Sequence, residues 1–275
     1  MVSAGAASLT EVTLMMLGSD KHELTYFTFF STLLIYNISL AAGNPKLAKS
    51  NSPVRRHQWL VKHHWLLIIS SIFCLPFLIY FCFYFKLSSL LFLVPFGLIS
   101  AAYSIPIPLG GKKFFVLRET GVSKIFLIAL MWGVTTVLFP VVEVLDISAV
   151  FQLEHLILFV SRLTFIFAIT IPFDIRDLKY DQQTHVQTIP SLLGEAKSKM
   201  VALGAIGLFL LLSAVLVFPL EIISSMMLIG LCISGFSTAV LLFLTHKNRP
   251  EYFFSLLMEG TSVLQLVFVV MVIWL

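Results

Sequence analysis

Stretches of about 20 apolar residues recur along this chain from one end to the other, parted by short polar intervals. At about 1.5 Å per residue, a helix of that length crosses a hydrocarbon core of about 30 Å. Nine such segments can be drawn, at residues 2–17, 24–42, 64–85, 88–105, 122–142, 153–171, 200–220, 222–245 and 254–275. The first is short, carries Glu11 and has no basic residue ahead of it. The expectation is a start codon set late or a trimmed N-terminus, and not a cleavable signal, which would need a charged leading region. The weakest break is the turn from Pro219 to Glu221.

Composition agrees with that pattern. Of 275 residues 59% are hydrophobic and 12% charged, with a mean hydropathy of +0.98. A soluble domain carries about twice that charged fraction. The predicted class is all-α, a polytopic membrane protein of about nine transmembrane helices, with residues 1–275 forming one integral domain. Cys74, Cys82 and Cys232 fall inside apolar runs without metal-type spacing, so they read as small core residues. The net charge of +4 belongs to the loops and implies no nucleic-acid partner.

Where the charges fall predicts orientation. Of the 18 Lys and Arg residues, all but Lys21, Lys86 and Arg162 lie in or beside the loops after segments two, four, six and eight. The positive-inside rule makes that side cytoplasmic, with the N-terminus inside and the C-terminus outside. The expected location is the plasma (inner) membrane of a bacterium. Asp20, Glu23, Glu143, Asp146, Glu154 and Glu221 fall mostly on the outer side. Arg162 stands inside segment six, where a charge is expensive, so it is expected to face the bundle interior or to pair with an acid, Glu154 or Glu11.

Three cytoplasmic intervals, 43–63, 106–121 and 173–199, are longer than a hairpin needs, and long loops in compact proteins are usually functional or disordered. The first two are strongly basic. The third holds Asp174, Asp177 and Asp181, spaced three and four apart, which fall within about 60° of arc on a helix. On this reading Arg176 and Lys179 point away from that face. Three acids near a helix C-terminus repel one another and the dipole, so a positive partner is expected, the alternative being a solvated acidic loop between two membrane helices. Mg2+, which takes one or two carboxylates plus substrate phosphates, is the natural one. A diphosphate would suit the basic loops. Gly110-Gly111-Lys112-Lys113 lacks the spacing of a phosphate-binding P-loop, and His57, His63 and His64 read as interfacial.

The exit of segment six, DxxDxxxD from Asp174 to Asp181 followed by Thr188-Ile189-Pro190 and Gly194, resembles the second aspartate-rich motif of the UbiA superfamily of intramembrane prenyltransferases. Tyr103-Ser104-Ile105-Pro106 is similar to that family's YSxP element, and nine helices are its plan. The likeness covers essentially the whole chain. It implies that Asp174, Asp177 and Asp181 bind Mg2+ and serve catalysis. It also implies that Asn37, Arg55, Arg56, Tyr103, Ser104, Lys112 and Arg118 contact a polyprenyl diphosphate, whose prenyl group passes to an aromatic or other lipophilic acceptor.

The family's first motif, NxxxDxxxD, is degenerate here. Tyr36-Asn37 supplies the Asn, but Ala41 and Pro45 stand at the acid positions, and no Asp or Glu occurs from Leu24 to Phe115. Lys46, Lys49, Arg55 and Arg56 occupy the region instead. Two readings stay open. Basic side chains bind the diphosphate directly in place of one metal ion, or prenyl transfer is lost and the fold serves lipid binding. A membrane carrier is a third class, with Glu11, Arg162 and Glu259 as its few internal charges.

Overall fold

The structure is a computed structural model. It describes the chain except for residues 50–58, 60, 105–106, 109–113, 116–120, 184–185, 219 and 221–222, and gives only the backbone of 42–49, 104, 107–108, 114–115 and 183.

Among the described residues nine apolar helices follow one another. They are α1 (Val2–Met16), α2 (Glu23–Lys49), α3 (His64–Cys82), α4 (Leu87–Ser104), α5 (Ser123–Val144), α6 (Leu153–Gln183), α7 (Ile189–Val217), α8 (Ser225–Leu244) and α9 (Phe253–Ile273). Seven of them are long and apolar enough to cross a membrane, and α1 and α4 are shorter. A two-residue antiparallel pairing of Ile107–Pro108 with Phe114–Phe115 joins the ends of the fourth loop.

Burial runs opposite to that of a soluble protein. Phe83, Phe236, Phe243 and Trp274 are largely exposed, while Thr10, Thr13, Thr238 and Thr261 are fully buried. In hydrocarbon a hydroxyl must find its partner within the protein. The Thr10 and Thr13 hydroxyls donate to the carbonyls one turn back, at Ala6 and Leu9. Small residues bring helices together: a Cβ at Gly230 of α8 would lie 2.7 Å from the Cα of Val269 on α9.

α1 runs inside the bundle, packed against α2, α9 and the middle of α5. There α5 widens into a π-turn at Val134–Leu138, just ahead of Pro140. Proline lacks the N–H a regular helix needs, and a π-turn is one way to absorb that loss. The end of the bundle near Glu143 is clasped by charge. The fully buried Glu143 accepts from Lys21 Nζ at 2.9 Å and from the Lys86 backbone N–H at 3.0 Å.

Three expectations change. Most of the described residues in the interval 173–199 are helical. α6 continues through the acids to Gln183, and α7 begins at Ile189 rather than near residue 200, with a kink at Gly194 (φ +79°) between its short first piece and the long helix that follows. The basic interval after α2 also starts as helix, to Lys49. Loss of apolar residues ends the membrane span but not the helix, because charged residues such as Glu195 and Lys199, 3.7 Å apart at i,i+4, support a helix in water.

Candidate functional site at the inner end of helix α6

At 31 residues, α6 is about 46 Å long, well beyond a hydrocarbon core of about 30 Å. Its last turns therefore project past the apolar layer, and these turns carry the acids. Pro172 enters the same helix just before them. The chain then turns at once: the Val186 N–H donates to the Asp181 carbonyl at 2.9 Å. α7 starts with Thr188 as N-cap, its backbone N–H donating to Ser191 Oγ at 2.7 Å, and with Pro190 in the first turn, where a missing N–H costs nothing. The Thr-Ile-Pro sequence is thus a helix start that folds the chain back against the acids.

Asp174 and Asp181 are buried, at 4% and 5% exposure. Asp177 is different, with 42% of its side chain exposed. Lys124, one residue into α5, reaches across to Asp174 Oδ1 at 2.8 Å. Its placement depends on Gly121, whose φ of +68° suits glycine and whose missing Cβ would meet the Gln187 carbonyl oxygen at 2.4 Å. The start of α5 is thereby pressed against the α6–α7 turn.

Arg176 was expected to point away from the acids, leaving them uncompensated. It folds back instead onto its neighbour: Nε and Nη2 donate to the two Asp177 oxygens at 2.8 and 2.9 Å. Its Nη1 also donates to Glu251, at the start of α9, at 3.0 Å. The guanidinium lies 5.3 Å from the Phe173 ring and 5.6 Å from that of Phe254. The cation over phenylalanine rings here is a side chain of the protein itself.

The remaining predicted residues divide. Asn37 is buried and its Nδ2 donates to Ser70 Oγ on α3 at 2.8 Å, a bond between helices. Its neighbour Tyr36 lies within electrostatic range of Arg176, which brings this part of α2 toward the site. Tyr103 is half-buried in the last turn of α4. Arg55, Arg56, Lys112 and Arg118, and the side chain of Ser104, lie outside the described residues. Lys124 and Glu251 were not among the predicted site residues. Their signal was available only indirectly, since each opens a helix at the same end of the bundle as the acids.

Among the described residues no three acid, histidine or cysteine side chains converge as a ligand cluster for one metal ion. A site with fewer protein ligands does fit. Asp174 Oδ2 is buried without a hydrogen-bond partner, and Asp181 lies within its electrostatic reach. Two carboxylates leaving most positions to phosphate oxygens and water is the usual donor set of Mg2+.

No family model matches this chain, and no curated protein does. Solved structures match over its whole length. One is the apo structure of a UbiA homolog from Aeropyrum pernix K1, at 13% identity and a TM-score of 0.71, covering 100% of this chain and 99% of that one. A second is a UbiA homolog from Archaeoglobus fulgidus bound to DMAPP and Mg2+, at 14% and 0.60, covering 100% and 96%. A third concerns digeranylgeranylglyceryl phosphate synthase in membranes, at 20% and 0.58, covering 100% and 94%. At these identities the likeness establishes the fold: this chain has the UbiA fold.

Proposed function

We propose that this UbiA-fold chain belongs to the UbiA superfamily and is a membrane prenyltransferase. It would move a prenyl group from a polyprenyl diphosphate to an aromatic or other lipophilic acceptor. The observation that carries this reading is the buried pair Asp174 and Asp181, with one carboxylate oxygen unpartnered, at the end of a helix that outruns the bilayer. A solved protein of the same fold, bound to DMAPP and Mg2+, supports a prenyl diphosphate as donor.

Asp174 and Asp181 would hold Mg2+, with Asp177 joining if it leaves Arg176. When bound, the ion neutralises negative charge gathering on the diphosphate as it leaves. The chain's own residues do the rest. Lys124 pairs with the buried Asp174 and fixes its carboxylate in direction. Arg176 holds Asp177 bidentately and ties α6 to α9. With Ala41 and Pro45 in place of the first motif's acids, Arg55 and Arg56 would bind the diphosphate directly, since guanidinium makes bidentate phosphate contacts that Lys cannot copy. Lys112, Arg118, Tyr103 and Ser104 would complete the donor site from the loop after α4.

One observation favours a second reading, a catalytically degenerate lipid-binding protein. Asp174 and Asp177 each already have a cation within 2.8 Å, so two of the acids are compensated without metal. Diphosphate release separates the two. The purified protein in nanodiscs is given farnesyl or geranylgeranyl diphosphate, Mg2+ and a panel of aromatic acceptors. Mg2+-dependent release supports the transferase. Donor binding without release, across the panel, replaces it with the lipid-binding reading.

A further inference from the structure

Arg162 stands nine residues into α6, about 14 Å along its axis, which puts it near the middle of a hydrocarbon core of about 30 Å. It is 3% exposed. The acids expected to pair with it do not. Glu11 turns the other way, accepting from the Thr25 hydroxyl at 2.6 Å and lying 2.9 Å from His22 Nδ1. Among the described residues Arg162 has only neutral partners: Nη2 donates to the Leu9 carbonyl and to Thr13 Oγ1, both at 3.2 Å. Its Nη1 is buried and has no acceptor. A guanidinium does not give up its proton, so a full positive charge stays in this interior.

Beside it lies a cavity of about 10 Å³, which is room for one water-sized particle. Its polar lining is Ser161, Arg162, Ser213 and Gln265, and the rest is apolar, including Leu158 and Phe209. These groups can present donors. Ser161 Oγ donates to the Phe209 carbonyl at 3.5 Å and lies 3.4 Å from Ser213 Oγ, both long contacts that a better acceptor in the cavity would outcompete. The Gln265 side chain is 1% exposed and its Oε1 has no donor. Reversing that amide, which costs no covalent change, presents its NH2 group instead.

We infer that this cavity is a binding site for a small inorganic anion of halide size, held by Arg162 with Ser161 and Gln265. The cavity's size excludes a phosphate, a carboxylate lipid or any part of a prenyl donor. A water molecule would accept from Nη1 but would leave the charge uncompensated in a medium that penalises it. A monatomic anion supplies both the acceptor and the countercharge. Arg162 and Asp174 are twelve residues apart on α6, about 18 Å, so this site is separate from the acid end and does not depend on the function proposed for it.

The test uses the full chain in nanodiscs at constant ionic strength, exchanging gluconate for chloride or bromide. The thermal midpoint should rise saturably with either halide, and Arg162→Gln should abolish the rise. Ser161→Ala and Gln265→Leu, which keep the charge, should each weaken bromide binding about tenfold. Crystals grown in bromide should show anomalous density in the cavity. A parent protein indifferent to halide overturns the inference, as does undiminished halide dependence in Arg162→Gln. Should that variant fail to fold, bromide affinity unchanged in both of the others overturns it as well.

Discussion

The ammonium of Lys124 lies 2.8 Å from Asp174 Oδ1, joining the first turn of α5 to the last turns of α6. Both side chains are mostly buried, at 17% and 5% exposure. Removing one partner of such a pair strands a charge, whereas removing both need not cost anything. Lys124→Met should destabilise by about 3 kcal/mol, and the double variant Lys124→Met, Asp174→Asn should recover most of the loss. Thermal unfolding of the four proteins in one detergent measures the coupling. Additive losses would show that the pair is not an energetic unit.

The acids should differ in their effect on donor binding. Asp174→Asn and Asp181→Asn should weaken Mg2+-dependent binding of a prenyl diphosphate well over about tenfold, and Asp177→Asn less. The reason is that Asp177 is exposed and already held by Arg176. Titration of the donor with and without Mg2+ gives the order. Equal losses at all three positions would mean that Asp177 leaves Arg176 and joins the metal.

Arg55→Ala with Arg56→Ala should abolish donor binding, while Lys46→Ala and Lys49→Ala should be mild. The same titration checks this. Parent-like binding by the double arginine variant would exclude direct replacement of the missing first motif by guanidinium groups.

At the opposite end, Glu143→Gln should weaken the clasp with Lys21 and the Lys86 backbone, lowering stability by about 1–3 kcal/mol. Donor affinity should be unchanged, because the clasp lies at the other end of α5 from Lys124. A loss of affinity would show that the two ends communicate.

Two glycines give a packing contrast. Gly230→Ala would drive a Cβ to 2.7 Å from the Val269 backbone, so neither helix can yield by a rotamer change. A loss of about 1–3 kcal/mol is expected. Gly97→Ala meets nothing within 4 Å and should be neutral or slightly stabilising. Comparison of their unfolding midpoints decides.

Much of this protein could be read from its sequence. Long apolar segments have few ways to satisfy their backbone in lipid, so helices and their approximate number follow from length and hydropathy alone. The three aspartates and the Thr-Ile-Pro start beyond them are local patterns, and both were visible as such. Where α6 stops was less legible, because a drop in hydropathy marks the edge of the membrane and not the end of a helix. What the chain could not reveal was pairing across helices. Periodicity put Arg176 opposite the acid face, yet its long side chain bends back to Asp177, since an arginine's reach exceeds the arc between adjacent helical positions. Lys124 finds Asp174 across 50 residues of chain because Gly121 lets the start of α5 sit on the α6–α7 turn. Arg162 faces the interior, one of its two expected placements, and there meets a carbonyl and a hydroxyl of α1 and no acid. Charge sign and spacing set which pairs are possible, but packing of the helices decides which atoms come within reach.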